Sequence, residues 1–113
     1  MTSTLAVQPN FSLRALNSFG VDVITRGYLA VQSIDTLKKL RGDVEWMSQP
    51  RLVLGGGSNL LLTRDFDGLV LHLHNRGIEF LGADANANYV RASAGESWHG
   101  LVEWTLSQGF PGL

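Results

Sequence analysis

Apolar residues recur along this chain in two rhythms, which change near Asp67-Gly68. Upstream, the apolar stretch from Val21 to Ile34 is interrupted at Arg26-Gly27, which predicts one or two short strands. Leu37 and Leu40 then follow at helical spacing, with Asp35 placed to cap the helix by accepting backbone N–H groups. Lys38, Lys39 and Arg41 gather at the negative end of that helix's dipole, and Gly42 closes it. Met47 to Pro50 leads into Arg51 to Leu54, whose apolar run Leu52-Val53-Leu54 reads as a buried strand. Strand, helix and strand in that order predict a βαβ unit, with a glycine-rich turn at the carboxyl end of its second strand.

Beyond Asp67-Gly68 the pattern becomes strand-rich. Leu69 to His74, Gly77 to Leu81 and Tyr89 to Ala94 alternate as strands do, and the polar run from Asp84 to Asn88 supplies a turn between the last two. A hairpin or meander is expected. A helix follows over 98–108, capped by Ser97 and ended by Gly109, with Trp98, Leu101, Val102 and Thr105 on one stripe. Met1 to Pro9 reads as a polar lead outside this organisation. Nothing repeats internally.

Composition narrows the function more by exclusion than by indication. Nine basic and ten acidic residues leave a net charge of −1, which gives no electrostatic footprint for nucleic acid or an anionic membrane as partner. With no cysteine, disulfides and thiolate metal sites are ruled out, a composition compatible with a cytoplasmic protein. The first ten residues lack the basic and apolar regions of a signal peptide, and no window supplies the ~18 apolar residues a membrane span requires. At 113 residues the chain amounts to one small domain.

Chemistry concentrates in Gly55-Gly56-Gly57-Ser58-Asn59, directly after the buried strand. Residues without Cβ atoms let the backbone approach a ligand closely and reach positive φ, so successive N–H groups can converge on a diphosphate. A tight turn is the plainer reading, but three consecutive glycines cost backbone entropy without any packing return. The common nucleotide fingerprints do not fit. No Lys follows Gly57, so this is not a P-loop, and G-x-G-x-x-G would place its third glycine at Leu60. After the turn, Leu60-Leu61-Leu62-Thr63-Arg64 is too short for a crossover helix.

Leu54-Gly55-Gly56-Gly57-Ser58-Asn59-Leu60 does resemble the flavin-binding loop of the UDP-N-acetylenolpyruvoylglucosamine reductase (UDP-N-acetylmuramate dehydrogenase) family. Three further segments agree in order: Asn17-Ser18-Phe19-Gly20 is similar to that family's Asn-Thr-Phe-Gly. Ala94-Gly95-Glu96-Ser97-Trp98-His99-Gly100-Leu101-Val102 is similar to its next signature, and Gly109-Phe110-Pro111-Gly112-Leu113 to the start of a Gly-Leu-Glu-Asn-Leu segment. The departures are Ser18 in place of Thr and Gly56 at a variable loop position.

The resemblance implies an α+β fold, the amino-terminal portion of a two-lobed FAD-binding domain of the vanillyl-alcohol oxidase (PCMH) type. Residues 1–15 would be a mobile leader, 16–68 the first lobe and 69–113 the start of a truncated second lobe, with FAD between the lobes and the substrate domain absent. It implies a flavin-dependent oxidoreductase of peptidoglycan synthesis, in which NADPH supplies the hydride that reduces UDP-N-acetylglucosamine enolpyruvate. The serine, arginine and glutamate of that step belong to later segments, so no catalytic residue is assigned in this chain and the chain alone is expected to be inactive. Cofactor contacts are expected from Leu54, Gly55, Gly56, Gly57, Ser58, Asn59 and Leu60, mostly through backbone donors. Another flavoprotein of the same fold, or a non-catalytic truncated product, are the other readings.

The remaining polar candidates are weaker. His72 and His74 share one strand face and could make half a metal site, but no third ligand stands near in sequence and alternation alone gives this pattern, so no metal is expected. His99 is read as a packing residue, Glu96 and Glu103 as solvated, and Trp98, Trp104 and Phe110 as core.

Overall fold

The computed structural model describes residues 5–113, which fold as two compact units, one running to His74 and the other from Asn75 to Leu113. Helices and strands occur in both, as the α+β expectation requires.

In the first unit, β1 (Gln8–Ser12), β2 (Ile24–Val31), β3 (Arg51–Leu54) and β4 (Phe66–Leu73) form one sheet in the order β1-β2-β4-β3. β1 runs antiparallel to β2, while β4 lies parallel to both β2 and β3. The helices α1 (Ile34–Arg41) and α2 (Val44–Met47) connect β2 to β3. The expected βαβ connection is therefore present, but its two strands are not neighbours: β4 is inserted between them. Burial explains the choice. Gly68, Leu69, Val70 and Leu71 are consecutively buried, the mark of a strand covered on both faces, whereas Arg51 and Val53 of β3 are exposed and suit an edge.

Strand alternation splits the core into two layers. Tyr28, Leu54 and Val70 face one side with Leu13 and Val23; Leu29, Val31, Leu69 and Leu71 face the other, under Leu40 and Leu37 of α1 and Trp46 of α2. Ser33, not Asp35, occupies the N-cap of α1; Asp35 lies in the first turn, where its charge still complements the dipole. The sequence reading did not foresee α2. Its cap is the Asp43 carboxylate, which accepts from Trp46 N at 3.0 Å.

Two boundaries shift. The expected leader over 1–15 contains β1, whose Phe11 stacks on Tyr28 at 4.0 Å, and the fully buried Leu13, whose N–H donates to Val23 O at 2.9 Å; Met1 to Thr4 lie outside the described residues. The expected lobe boundary after 68 falls inside β4. His74 N still donates to Val31 O at 2.8 Å, so the ladder holds the strand in the first unit to its end.

The second unit is a hairpin, β5 (Ile78–Ala83) and β6 (Asn88–Ala92), followed by α3 (Trp98–Ser107). Asp84 builds its turn: one carboxylate oxygen accepts from the N–H of Asn86 and of Ala87, each at 2.8 Å, and the other accepts from Tyr89 Oη at 2.6 Å. The Tyr89 hydroxyl first, and then the two N–H groups, hold the Asp84 carboxyl below its ordinary pKa, and the bond to Asp84 in turn raises that of Tyr89. Ser97 caps α3 by accepting from Gly100 N at 3.0 Å, and Gly109 follows with φ +74°. Trp98, expected on the apolar stripe, is 67% exposed, which leaves Leu101, Val102 and Thr105 to pack. Trp104 and Phe110 do pack, in ring contact with each other and, through Phe110, with Phe80.

Candidate functional site

The glycine turn leaves β3 at the buried Leu54. Gly55 and Gly56 are exposed, and a Cβ placed on either would meet nothing within 4 Å. Gly57 differs. It is buried, with φ +69°, and a Cβ there would come within 2.0 Å of Leu16 O and 3.0 Å of Asn17 Cα. Gly57 is thus required by the protein's own packing, whereas Gly55 and Gly56 leave open surface where backbone can meet a ligand. Ser58 and Asn59 are exposed beside them, and Leu60 turns back to pack on the first core layer.

The segment Asn17 to Gly20 abuts this turn. Asn17 is buried and closes its own loop: its amide nitrogen donates to Leu13 O at 2.8 Å and Val21 O at 3.1 Å, and its Oδ1 accepts from Val21 N at 3.0 Å. Thus fixed, the loop presents Ser18 N, which donates to Gly57 O at 3.1 Å. A trans peptide is planar, with C=O and N–H pointing in opposite directions. Holding the Gly57 carbonyl against Ser18 therefore turns the N–H of Ser58 the other way. Among the described residues no protein acceptor meets the N–H of Gly56 or of Ser58.

A polar cluster lies next to the turn on β4. The register sets Leu54 opposite His72, one residue before the glycine turn begins. Tyr28 Oη lies 2.6 Å from His72 Nδ1, and His74 Nε2 lies 3.0 Å from the same atom. Desolvation, and then the neighbouring His74, hold the His72 pKa below its ordinary 6.5, against a smaller upward pull from the Gly55 backbone. Burial likewise raises the Tyr28 pKa. Sequence spacing placed His72 and His74 on one face but gave no sign of Tyr28, which meets His72 only through the parallel pairing of β4 with β2. Among the described residues, no three His, Cys, Asp or Glu side chains group into a metal site.

The other candidates separate from this cluster. His99, read as a packing residue, is exposed and reaches Glu103 Oε1 at 2.6 Å along one face of α3. Glu96, read as solvated, is mostly covered: Oε1 accepts from Gly77 N at 2.8 Å and Oε2 pairs with Arg76 at 3.4 Å, an arrangement that ties the chain before α3 to the start of β5. Both serve the second unit's own structure.

Comparison with known proteins gives the family. Residues 25–113 match the family model described as FAD binding domain. UDP-N-acetylenolpyruvoylglucosamine reductase of Pseudomonas putida is 46% identical over 110 residues, covering 97% of this chain and 32% of that protein. The proteins of the same name from Burkholderia mallei and Burkholderia pseudomallei are each 47% identical over 111 residues, covering 98% of this chain and 32% of theirs. The chain therefore spans about a third of the length of the curated relatives it matches.

Proposed function

This chain belongs to the FAD binding domain family, and on that footing we propose that the turn from Leu54 to Leu60 holds the diphosphate of FAD. One observation carries the reading: Gly56 and Ser58 offer N–H groups that no protein acceptor meets among the described residues, next to two glycines whose missing side chains leave open space. Nearby backbone donors of this kind suit an anion, and a diphosphate supplies several acceptor oxygens. Ser58 and Asn59 add side-chain donors at the rim. When bound, FAD supplies hydride-transfer chemistry; this chain's residues bind and orient it.

In this reading the chain is the amino-terminal third of an oxidoreductase like the relatives it matches, working in the cytoplasm on the path to peptidoglycan. The identity of 46–47% across nearly all of this chain supports it. The whole enzyme would draw hydride from NADPH and reduce UDP-N-acetylglucosamine enolpyruvate. The 113 residues alone would hold flavin without turning that substrate over, because they supply the grip on the cofactor and not the serine, arginine and glutamate of the reducing step.

Fluorescence titration distinguishes a diphosphate grip from general affinity for flavin. FAD should bind saturably and ADP should displace it, while riboflavin, which lacks the diphosphate, should bind far more weakly. Equal affinity for riboflavin and FAD would overturn the assignment.

A further inference from the structure

His72 and His74 have no third ligand near them in sequence, but the sheet brings one to them in space. Both stand on the face of β4 that carries Val70, and the parallel register sets Ala30 of β2 opposite His72. Ala30 is small, which leaves room for Tyr28, two residues back on the same face of β2, to reach the imidazole. His72 Nδ1 lies 2.6 Å from Tyr28 Oη and 3.0 Å from His74 Nε2, so three donor atoms of the kind that ligate metals meet within the first unit. Phe11 stacks on Tyr28 at 4.0 Å, and the two imidazoles meet edge to face at 4.1 Å. Tyr28 is buried and the histidines are half-buried, so the group has a packed floor and a side open to solvent.

The spacings favour one coordination geometry. Two ligands at right angles on a metal with bonds of about 2.0 Å stand roughly 2.8 Å apart, and at the tetrahedral angle roughly 3.3 Å apart. The distances of 2.6 and 3.0 Å straddle the first value and fall short of the second. A tetragonal set of imidazole nitrogens and an oxygen suits Cu(II) or Ni(II), and copper is the tighter of the two in the divalent series. We propose that Tyr28, His72 and His74 form a Cu(II) site, with His72 Nδ1 at the corner between the other two ligands. The ion replaces the hydrogens that join these atoms in the metal-free chain. Neutral His74 shifts its proton from Nε2 to Nδ1, neutral His72 keeps its own on Nε2, and Tyr28 gives its hydroxyl proton to solvent as the phenolate binds. One proton leaves per ion, and the charge of the copper offsets the burial of the phenolate. Because the ligands come from β2 and β4, the ion clips these strands together, whether or not the glycine turn holds FAD.

Titration of Cu(II) into the flavin-free 113-residue chain tests this. One ion should bind per chain, with a visible phenolate-to-copper charge-transfer band and electron paramagnetic resonance coupling to two imidazole nitrogens, and the melting temperature should rise with copper concentration. Tyr28→Phe keeps the ring stacked on Phe11 and should abolish the band while both nitrogen couplings remain. His74→Ala should lower copper affinity at least about tenfold, since even partners one shell removed from a metal carry that much. His99→Ala, which breaks the pair with Glu103 on α3, should leave binding unchanged. A wild-type complex without the band, a band that survives Tyr28→Phe, equal affinity in wild type and His74→Ala, or binding abolished by His99→Ala would each mean an adventitious ion only and overturn the site. The band is read in wild type and Tyr28→Phe alone, so it decides the matter even should His74→Ala fail to fold.

Discussion

Gly55, Gly56 and Gly57 stand side by side, yet their substitutions should behave differently. Gly57→Ala forces a Cβ into the Leu16 carbonyl at a backbone angle that L-residues disfavour, so it should cost about 3 kcal/mol or more, read as a lowered urea midpoint. Gly56→Ala, in open space at an ordinary φ, should change stability by less than about 0.5 kcal/mol and leave that midpoint nearly unmoved. Both glycines are visible in the sequence as one motif. What separates them is Leu16, a residue distant in the chain that reaches Gly57 only after folding. For that reason a bulky residue at 57 tests the fold, and one at 56 tests the ligand surface.

Asn17 is where one segment becomes a support for another. Its three side-chain hydrogen bonds close the loop that delivers Ser18 to Gly57. Asn17→Ala leaves the Leu13 and Val21 carbonyls and Val21 N without these partners, and should cost about 2 kcal/mol in chemical unfolding while weakening FAD binding through the displaced Ser58 donor. Strands 51–54 and 78–83, the turn at Asp84 and the capped helix after Ser97 were legible because each announces itself locally, by apolar run, Asp-led turn or Ser cap. The placement of β4 was not. Leu69-Val70-Leu71 reads as a strand in any sheet, and only the coverage of both its faces puts it between β2 and β3. That placement sets His72 opposite Leu54 and within reach of Tyr28, so missing it meant missing the polar cluster next to the turn.

For the molecule as a whole, the acid side of the stability profile follows from two groups. His72 has its folded pKa depressed below 6.5, so the unfolded chain binds its proton first. Its contribution is fully present above about pH 6.5 and is lost as pH falls through the folded value. Asp84 is also depressed, and for a carboxylate this gives a contribution present above its ordinary 3.8 and lost only as pH falls further through the folded value. Thermal melts from pH 7.5 to 5 should therefore decline in wild type and be flatter in His72→Phe, whereas Asp84→Asn should alter the profile only in stronger acid.

The claim that the exposed glycines grip the diphosphate is tested most directly by titrating FAD into the wild-type chain and into Gly56→Val, with urea unfolding of both as a control. The valine side chain enters open space, so the two proteins should unfold at nearly the same urea concentration. Saturable binding by wild type, weakened at least tenfold in Gly56→Val, is the predicted result. Equal affinity in two equally stable proteins, or no saturable binding by the folded wild-type chain, would contradict it.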